Sequence, residues 1–259
     1  MTRALMLASI FAAMLVVTCG AQPAYADGPL FGACAASSTP ATPIVIAATS
    51  TGIVNGGAAG TSATVTVSAA TSTLIVLAVT MATSGGAPGA FAAAGGGLTW
   101  NPPVAIGNTV SDNATVFLWA AATGTLAGTV LTVSWTNSII AWVSVDALVI
   151  SGAKNASPIG MTAIANLATS PASTTVTASA AGSLLLMATS DWSSAVIGTG
   201  PDAGSTALAI FATPASTGGS GFLQRRTALT AAPGAVTMTW GLAGADQWQS
   251  SAIEILAGP

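Results

Sequence analysis

Hydrophobic and polar residues alternate along much of this chain with a period of two. In residues 128–152, Leu131, Val133 and Trp135 alternate with Thr132 and Ser134, and a similar alternation follows a short turn. Successive side chains of a β-strand point to opposite faces of its sheet, so this period indicates strands with a buried face. The Val, Thr and Trp residues also suit a pleated sheet. We predict two strands joined by a turn.

The same pattern occurs a second time in residues 233–258. Trp135 aligns with Trp240, and Trp142 aligns with Trp248, at a displacement of 105 or 106 positions. Earlier segments repeat as well, since residues 63–68 and 73–81 resemble residues 174–179 and 183–192. The chain is therefore predicted to contain two half-repeats, at about 61–153 and 172–258.

Several segments have a more specific prediction. Residues 74–81 and 184–187 have apolar residues on both alternating sides, which is typical of central strands that are covered on both faces. Residues 84–114 are rich in glycine and are interpreted as a surface loop. A strand at 115–121 aligns with residues 221–227, where Trp119 and Ala120 are replaced by Gln224 and Arg225.

No amphipathic helical pattern follows residue 26, and turn residues recur at short intervals. We predict an all-β protein with a two-sheet antiparallel β-sandwich, jelly-roll-like or immunoglobulin-like, built from two similar halves. The sandwich domain is expected at residues 43–259, after an extended segment at 27–42.

The first 26 residues have the pattern of a secretory signal peptide, which is expected to form an N-terminal helix. Arg3 precedes an apolar run, and Ala24-Tyr25-Ala26 matches a small-x-small cleavage site, so cleavage is predicted after Ala26. The alternatives are a membrane anchor, for which the run is short, and a lipoprotein modified at Cys19, for which Thr18 is an unusual neighbour. We expect a secreted or cell-surface protein with no membrane span after leader cleavage.

Charged residues make up 4% of the chain, with four Lys and Arg, seven Asp and Glu, and no His. A basic patch that could neutralise phosphates is absent from the sequence, so nucleic-acid binding is not expected. No His/Cys cluster with metal-ligand spacing occurs, and we predict neither a metal nor another cofactor. Cys34 is the only cysteine after the leader, which leaves either an intermolecular disulfide or a packed small residue.

The order of short motifs resembles a known kind of module. TVTVS is followed by a Leu/Val-rich strand, LTW, LWAA, TVSW and a closing strand ending in SGA, and a shorter second round has QRRT before AVTMTW. This order resembles the tandem-half β-sandwich modules of exported bacterial proteins and phage virion proteins. The resemblance implies a sandwich attached to surface or virion proteins, with no catalytic residues to carry over.

We therefore expect a secreted, non-catalytic protein with a structural or self-assembling role at a cell surface or in a virion. Its expected partners are further copies of itself or other surface or virion proteins. Low charge supports this expectation, because little electrostatic repulsion keeps copies apart.

One alternative is a lectin-like, carbohydrate-binding module. In this interpretation Trp142 and Trp248 lie on outward faces as a stacking platform for a glycan, with Asp146 and Glu254 on the same faces of their strands. Asp191 and Trp192, at a strand end, are further candidate ligand-binding residues. Large aromatic residues are more often buried, which is the competing interpretation.

A second alternative is a glycoside hydrolase, which needs two carboxyl groups at a defined separation. With no histidine, acid–base chemistry would depend on carboxylates such as Asp191, Asp246 and Glu254. Nothing in the sequence pairs them, and carboxylates in such loops are usually turn formers. We therefore predict no catalytic residues.

Overall fold

A computed structural model gives the structure of the chain. It describes residues 42–55, 61–68, 73–83, 86–108, 113–122, 124, 126–136, 140–167, 170–192, 198–212, 219–242 and 247–259. The predicted signal peptide with its cleavage site, Cys19, Cys34 and nearly all of the predicted extended segment lie outside these residues. No helix occurs in the described ranges, and none of them therefore contains a helix that could cross a membrane.

Sixteen strands make up the described structure, eight in each half. The first half contains β1 (Val45–Asn55), β2 (Ser62–Thr66), β3 (Leu74–Thr83), β4 (Ala92–Gly95), β5 (Val104–Gly107), β6 (Asn113–Ala121), β7 (Val130–Ser134) and β8 (Ile140–Ser151). The second half contains β9 (Ile159–Leu167), β10 (Ala172–Ala178), β11 (Leu184–Asp191), β12 (Gly200–Pro201), β13 (Ser205–Ala212), β14 (Ser220–Arg226), β15 (Gly234–Gly241) and β16 (Trp248–Ile255).

The two halves have the same topology. In the first half, β1-β8-β3-β6-β5 form a five-stranded sheet and β2-β7-β4 form a three-stranded sheet. In the second half, the sheets are β9-β16-β11-β14-β13 and β10-β15-β12, which is the same order with every strand eight places later. All of these pairs are antiparallel. We call the five-stranded sheets the inner sheets and the three-stranded sheets the outer sheets.

Three apolar layers separate the four sheets. Within the first half, Val65 and Leu131 of the outer sheet pack with Leu77 of the inner sheet. Within the second half, Met238 and Trp240 of the outer sheet belong to the corresponding core. A central core lies between the two inner sheets, and contains the side chains Leu74, Val76, Phe117, Leu148, Ile150, Leu184, Leu186, Leu223, Ile253 and Ile255. The order of layers is therefore outer, inner, inner, outer.

The inner sheets pack with their edges aligned. The edge strand β1 lies against β13, and the opposite edge strand β5 lies against β9, while β3 lies against β11 in the middle. Because β1 is equivalent to β9 and β13 to β5, this arrangement has an approximate two-fold relation between the halves. Each side of the molecule thus presents the edges of two stacked sheets.

The predicted all-β, antiparallel sandwich is confirmed. The two-sheet sandwich occurs once in each half, and the halves then stack through their inner sheets instead of sharing one interior. The inner strands β3 and β11 are buried at every position, as the continuous apolar runs predicted. The interpretation of residues 84–114 as a loop was wrong in part, since the short strands β4 and β5 lie there.

Candidate functional site

The two tryptophans predicted to form an exposed platform are both fully buried, with exposed fractions of 0%. Trp142 on β8 contacts Phe211 of the second half, with their ring centroids 5.2 Å apart. Trp248 on β16 lies in the core between the second inner and outer sheets. The prediction of an exposed Trp142/Trp248 stacking platform was therefore wrong, because both faces of each inner sheet are covered.

The alignment of Trp142 with Trp248 was also wrong, by one position. Residue Met81 of β3 is opposite Val143, whereas the corresponding residue of β11, Asp191, is opposite Trp248. Val143 is therefore the structural equivalent of Trp248. Side chains alternate along a strand, so a shift of one residue places the two tryptophans on opposite faces of their sheets.

Asp146 on β8 faces the second half and is 2% exposed. Its Oδ1 accepts a hydrogen bond of 2.6 Å from the Thr51 hydroxyl, and its Oδ2 accepts one of 3.3 Å from Ser144. Burial raises the pKa of Asp146 to about 6, although these hydrogen bonds lower it in part. The predicted outward position of this carboxyl was wrong, and solvent does not reach it.

Glu254 on β16 is also buried, and its carboxylate holds three segments together. Oε2 accepts hydrogen bonds from the Met161 N–H at 3.0 Å and the Ser179 hydroxyl at 2.8 Å. Oε1 accepts from the N–H groups of Ser179 at 2.8 Å and Ala180 at 3.2 Å. Burial alone would raise the pKa of Glu254. The hydrogen bonds from Met161 and from the serine hydroxyls have the larger combined effect, so the pKa of Glu254 is lowered overall. Glu254 thus links β16 to β9 and to the loop after β10.

Asp191 and Trp192 lie where β11 ends. Asp191 is buried, opposite Trp248 on β16 and Ser220 on β14. Trp192 is partly buried and packs against the cluster that contains Trp142 and Phe211. The structure therefore brings Asp191 next to Trp248 inside the protein, and places Trp192 against the cluster that contains Trp142.

Asp191 and Glu254, two of the carboxylates considered for a glycoside hydrolase, are too far apart to form its catalytic pair. Asp191 is opposite Trp248, and Glu254 is six residues further along β16, which corresponds to a separation of about 20 Å. Catalytic pairs in such enzymes are about 5 to 10 Å apart. Asp246 lies outside the described residues. Among those residues there is also no cluster of three or more potential metal ligands.

A set of polar side chains between the halves was missed by the sequence analysis. Thr115 and Ser251 share a hydrogen bond of 2.6 Å, and Asn113 donates to the Gln247 carbonyl at 2.8 Å. The Ser190 hydroxyl lies 2.7 Å from the Met81 carbonyl and 2.8 Å from Asn113 Oδ1. These contacts form a polar seam at one end of the central core. The sequence pattern that could have indicated this polar seam is the presence of polar residues at one end of otherwise apolar strands.

The ion pair in the described part of the chain joins Arg226 to Asp202, at 2.9 Å. Asp202 also accepts hydrogen bonds from the N–H groups of Gly204 and Thr239. Burial alone would raise the pKa of Asp202. These hydrogen bonds from N–H groups and the positive charge of Arg226 have the larger combined effect, so the pKa of Asp202 is lowered overall. This pair connects the β12–β13 turn to β14, and the bond from Thr239 connects the same turn to β15.

Exposed apolar side chains concentrate on the edges of the inner sheets. Of the eight exposed large apolar side chains among the described residues, Val130 lies on β7 of an outer sheet. The other seven lie on β1, β5, β9 and β13: Val45, Ile53, Ile106, Met161, Ile164, Leu167 and Ile210. These four edge strands contain no charged residue. We refer to them as the inner-sheet edges.

A groove of about 290 Å³ lies at one of these edges, between β1 and β13. Its lining residues are Ile44, Val45, Ile46, Ala48, Thr49, Leu208 and Arg225. Two further cavities have volumes of about 190 Å³ each. The groove is therefore a second candidate site, and it contains one of the few cations of the chain.

Comparison with known proteins provides no relative for this chain. It matches no protein-family model, no curated protein sequence and no solved structure. The resemblance to tandem-half sandwich modules remains a prediction from the sequence.

Proposed function

We propose that this is a non-catalytic structural protein that is exported to a cell surface or into a virion and works by self-association. The observation that carries the proposal is the composition of the inner-sheet edges, which are apolar, exposed and uncharged. The export part rests on the signal-peptide pattern of residues 1–26.

An unpaired edge strand offers a row of backbone N–H and C=O groups to any other strand. Proteins that remain monomeric usually protect such edges with lysine, proline or bulges. Here a bulge interrupts β9 near Ile159, but residues 162–167 pair regularly with β16 and leave a regular outer edge. Met161, Ile164 and Leu167 are 47%, 49% and 61% exposed along this strand. We infer that β9 is the main contact, with β9 of a second copy as its partner.

The size of the edge is compatible with a specific contact. A strand of nine residues such as β9 is about 30 Å long, and stacked sheets lie about 10 Å apart. With its side chains, an edge that is two sheets deep is about 20 Å high, so it presents on the order of 600 Å². A standard protein interface buries about 800 Å² on each partner. Antiparallel pairing around a two-fold axis is the commonest way to join two such edges.

The carboxylates support a role without catalysis. Asp146, Asp202 and Glu254 all accept hydrogen bonds from groups of their own chain. A catalytic acid or base must lie within reach of a substrate, whereas Asp146 and Glu254 are buried. Their hydrogen bonds stabilise the junctions between strands.

The proposal is tested by measuring the molar mass of the chain without residues 1–26 over a wide concentration range, by light scattering after size exclusion. We compare the parent with Ile164→Lys, which puts a charge on the edge of β9. Val130→Lys is the matched control, because Val130 is 54% exposed but lies on the central strand of an outer sheet. Like charges facing each other at an interface cost several kcal/mol, so association of Ile164→Lys is expected to be weaker by about ten-fold or more.

A parent that remains monomeric at every concentration contradicts self-association itself. If Ile164→Lys assembles as well as the parent, self-association stands but β9 is not the contact. Ile53→Lys then tests whether the β1 edge is the contact instead. Hydrogen exchange provides a second measure, since the outward amides of β9 gain protection on assembly only if β9 is paired.

A further inference from the structure

Trp119 and Arg225 occupy equivalent positions in the two halves. Trp119 on β6 is opposite Val76, the third residue of β3, and Arg225 on β14 is opposite Leu186, the third residue of β11. Val76 and Leu186 both belong to the central core. Residues directly opposite in an antiparallel pair point to the same face, so Trp119 and Arg225 both point between the halves. The sequence alignment had placed Arg225 against Ala120, one position away.

The approximate two-fold relation puts these two side chains at opposite sides of the molecule. Trp119 is partly buried and packs against the central core. At the equivalent place in the second half, Arg225 lines the groove of about 290 Å³ between β1 and β13. The groove is thus located where the repeat replaces a large aromatic side chain with a long, thin cationic one.

The groove has a specific chemical character. Ile44, Ile46 and Leu208 give it an aliphatic wall, and Thr49 adds a hydroxyl. Among the residues that the structure describes, Arg226 forms an ion pair with Asp202, whereas Arg225 forms none. A guanidinium group is always charged and has five N–H donors, which match a carboxylate through two parallel hydrogen bonds.

We propose that the Arg225 groove binds a small carboxylate that carries a short aliphatic chain. Arg225 holds the carboxylate, and the aliphatic chain lies along Ile46, Ala48 and Leu208. The volume of about 290 Å³ lies just below the range of about 300 to 1,000 Å³ that is typical of ligand pockets, so the ligand is smaller than a drug-sized molecule. This site is independent of the β9 contact, which involves the opposite side of the molecule.

Hexanoate is a suitable probe. It is titrated into the protein from which residues 1–26 have been removed, and binding is followed by two-dimensional NMR. Hexanol is the neutral probe of the same chain length. Hexanoate is expected to shift the signals of β1 and β14, and Arg225→Ala is expected to weaken its binding by about ten-fold or more, since it removes the charge-assisted hydrogen bonds to the carboxylate. Lys154→Ala removes one charge from an exposed loop position and is the matched control, which should bind as the parent does.

Two further variants keep the test informative if Arg225→Ala is unstable. Arg225→Lys retains the charge and should keep part of the affinity, whereas Arg225→Trp copies the first half, fills the groove and should abolish binding in a folded protein. The proposal is overturned if hexanoate does not bind the parent, if it binds Arg225→Ala or Arg225→Trp as tightly as the parent, or if hexanol binds as tightly as hexanoate.

Discussion

The buried carboxyl group of Asp146 makes the stability of this protein depend on pH in a defined window. It is 2% exposed and has two hydroxyl partners, Thr51 and Ser144. The residues opposite it on the neighbouring strands are Thr51 on β1 and Ala78 on β3, neither of which is charged. Burial raises the pKa of Asp146 from its ordinary value of 3.8 to about 6, and the two hydrogen bonds only partly oppose this. Ionisation of this buried carboxyl therefore lowers the free energy of unfolding, and we predict that Asp146→Asn removes this pH-dependent loss of stability.

The magnitude follows from linkage. One pKa unit corresponds to 1.36 kcal/mol, so a rise of roughly two units is worth about 3 kcal/mol. Between about pH 4 and pH 6 the folded protein binds more protons than the unfolded chain at this carboxyl, and its free energy of unfolding falls as the pH rises. Below this window both states are protonated there and the cost is absent. Above it both are ionised and the full cost remains.

The carboxyls of Asp202 and Glu254 act in the opposite direction. Their pKa values are lowered on folding, although burial alone would raise them. Such a group contributes stability above its unfolded pKa, and this contribution is lost as the pH falls through the folded pKa. These losses begin near the ordinary pKa values of 3.8 for Asp202 and 4.5 for Glu254, at the lower end of the window of Asp146, and continue below it.

The assay is urea denaturation of the parent and of Asp146→Asn at intervals from about pH 4 to about pH 7.5. The parent should lose about 3 kcal/mol relative to the variant across this range, and the variant should be the more stable protein at neutral pH. Asp202→Asn is the control, because it should retain the slope between pH 4 and 6. If parent and Asp146→Asn give parallel pH profiles, burial does not raise the pKa of the Asp146 carboxyl.

Three further predictions concern stability. Glu254→Gln should lower the free energy of unfolding by about 2 kcal/mol, because its oxygen atoms accept charge-assisted hydrogen bonds; urea denaturation measures this. Trp142→Ala should lower the free energy of unfolding by about 3 to 5 kcal/mol, because the side chain is fully buried. The hypothesis of an exposed platform predicts instead little change in stability and a loss of glycan binding on an array. Gly221→Ala should lower the free energy of unfolding by about 1 to 3 kcal/mol, since its Cβ would overlap the Thr80 side chain of the first half. This loss is measured as a lower melting temperature, and an unchanged melting temperature would show that the halves are not closely packed there.

The β class and the buried central strands could be predicted from the sequence alone. Alternation with a period of two, as in Leu131, Val133 and Trp135, depends only on the geometry of a single strand. The continuous apolar run of β3 reports burial on both faces in the same local way. Trp135 and Trp240 are indeed equivalent, since Val133 and Met238 lie at matching positions of β7 and β15.

The candidate binding residues could not be placed in the same way. Trp142, Asp146, Trp248 and Glu254 were assigned to outward faces, because the sandwich was expected to have only one interior. The stacking of the two halves covers the face of β8 that carries Trp142 and Asp146. The outer sheet of the second half covers the face of β16 that carries Trp248 and Glu254. No local pattern distinguishes a face that is exposed to water from a face that a second half covers with polar side chains such as Thr115 and Ser251.

Local patterns along the chain are enough to predict that it forms strands, that these strands occur as two similar sets, and which strands are central. The face that each side chain occupies depends on how the strands pair and how the sheets pack. The repeats are displaced by 105 positions at Val143 and Trp248 but by 106 at Trp119 and Arg225. The physical reason is that one residue of register reverses every side chain of a strand, and register is set by pairing with strands that are distant in the sequence.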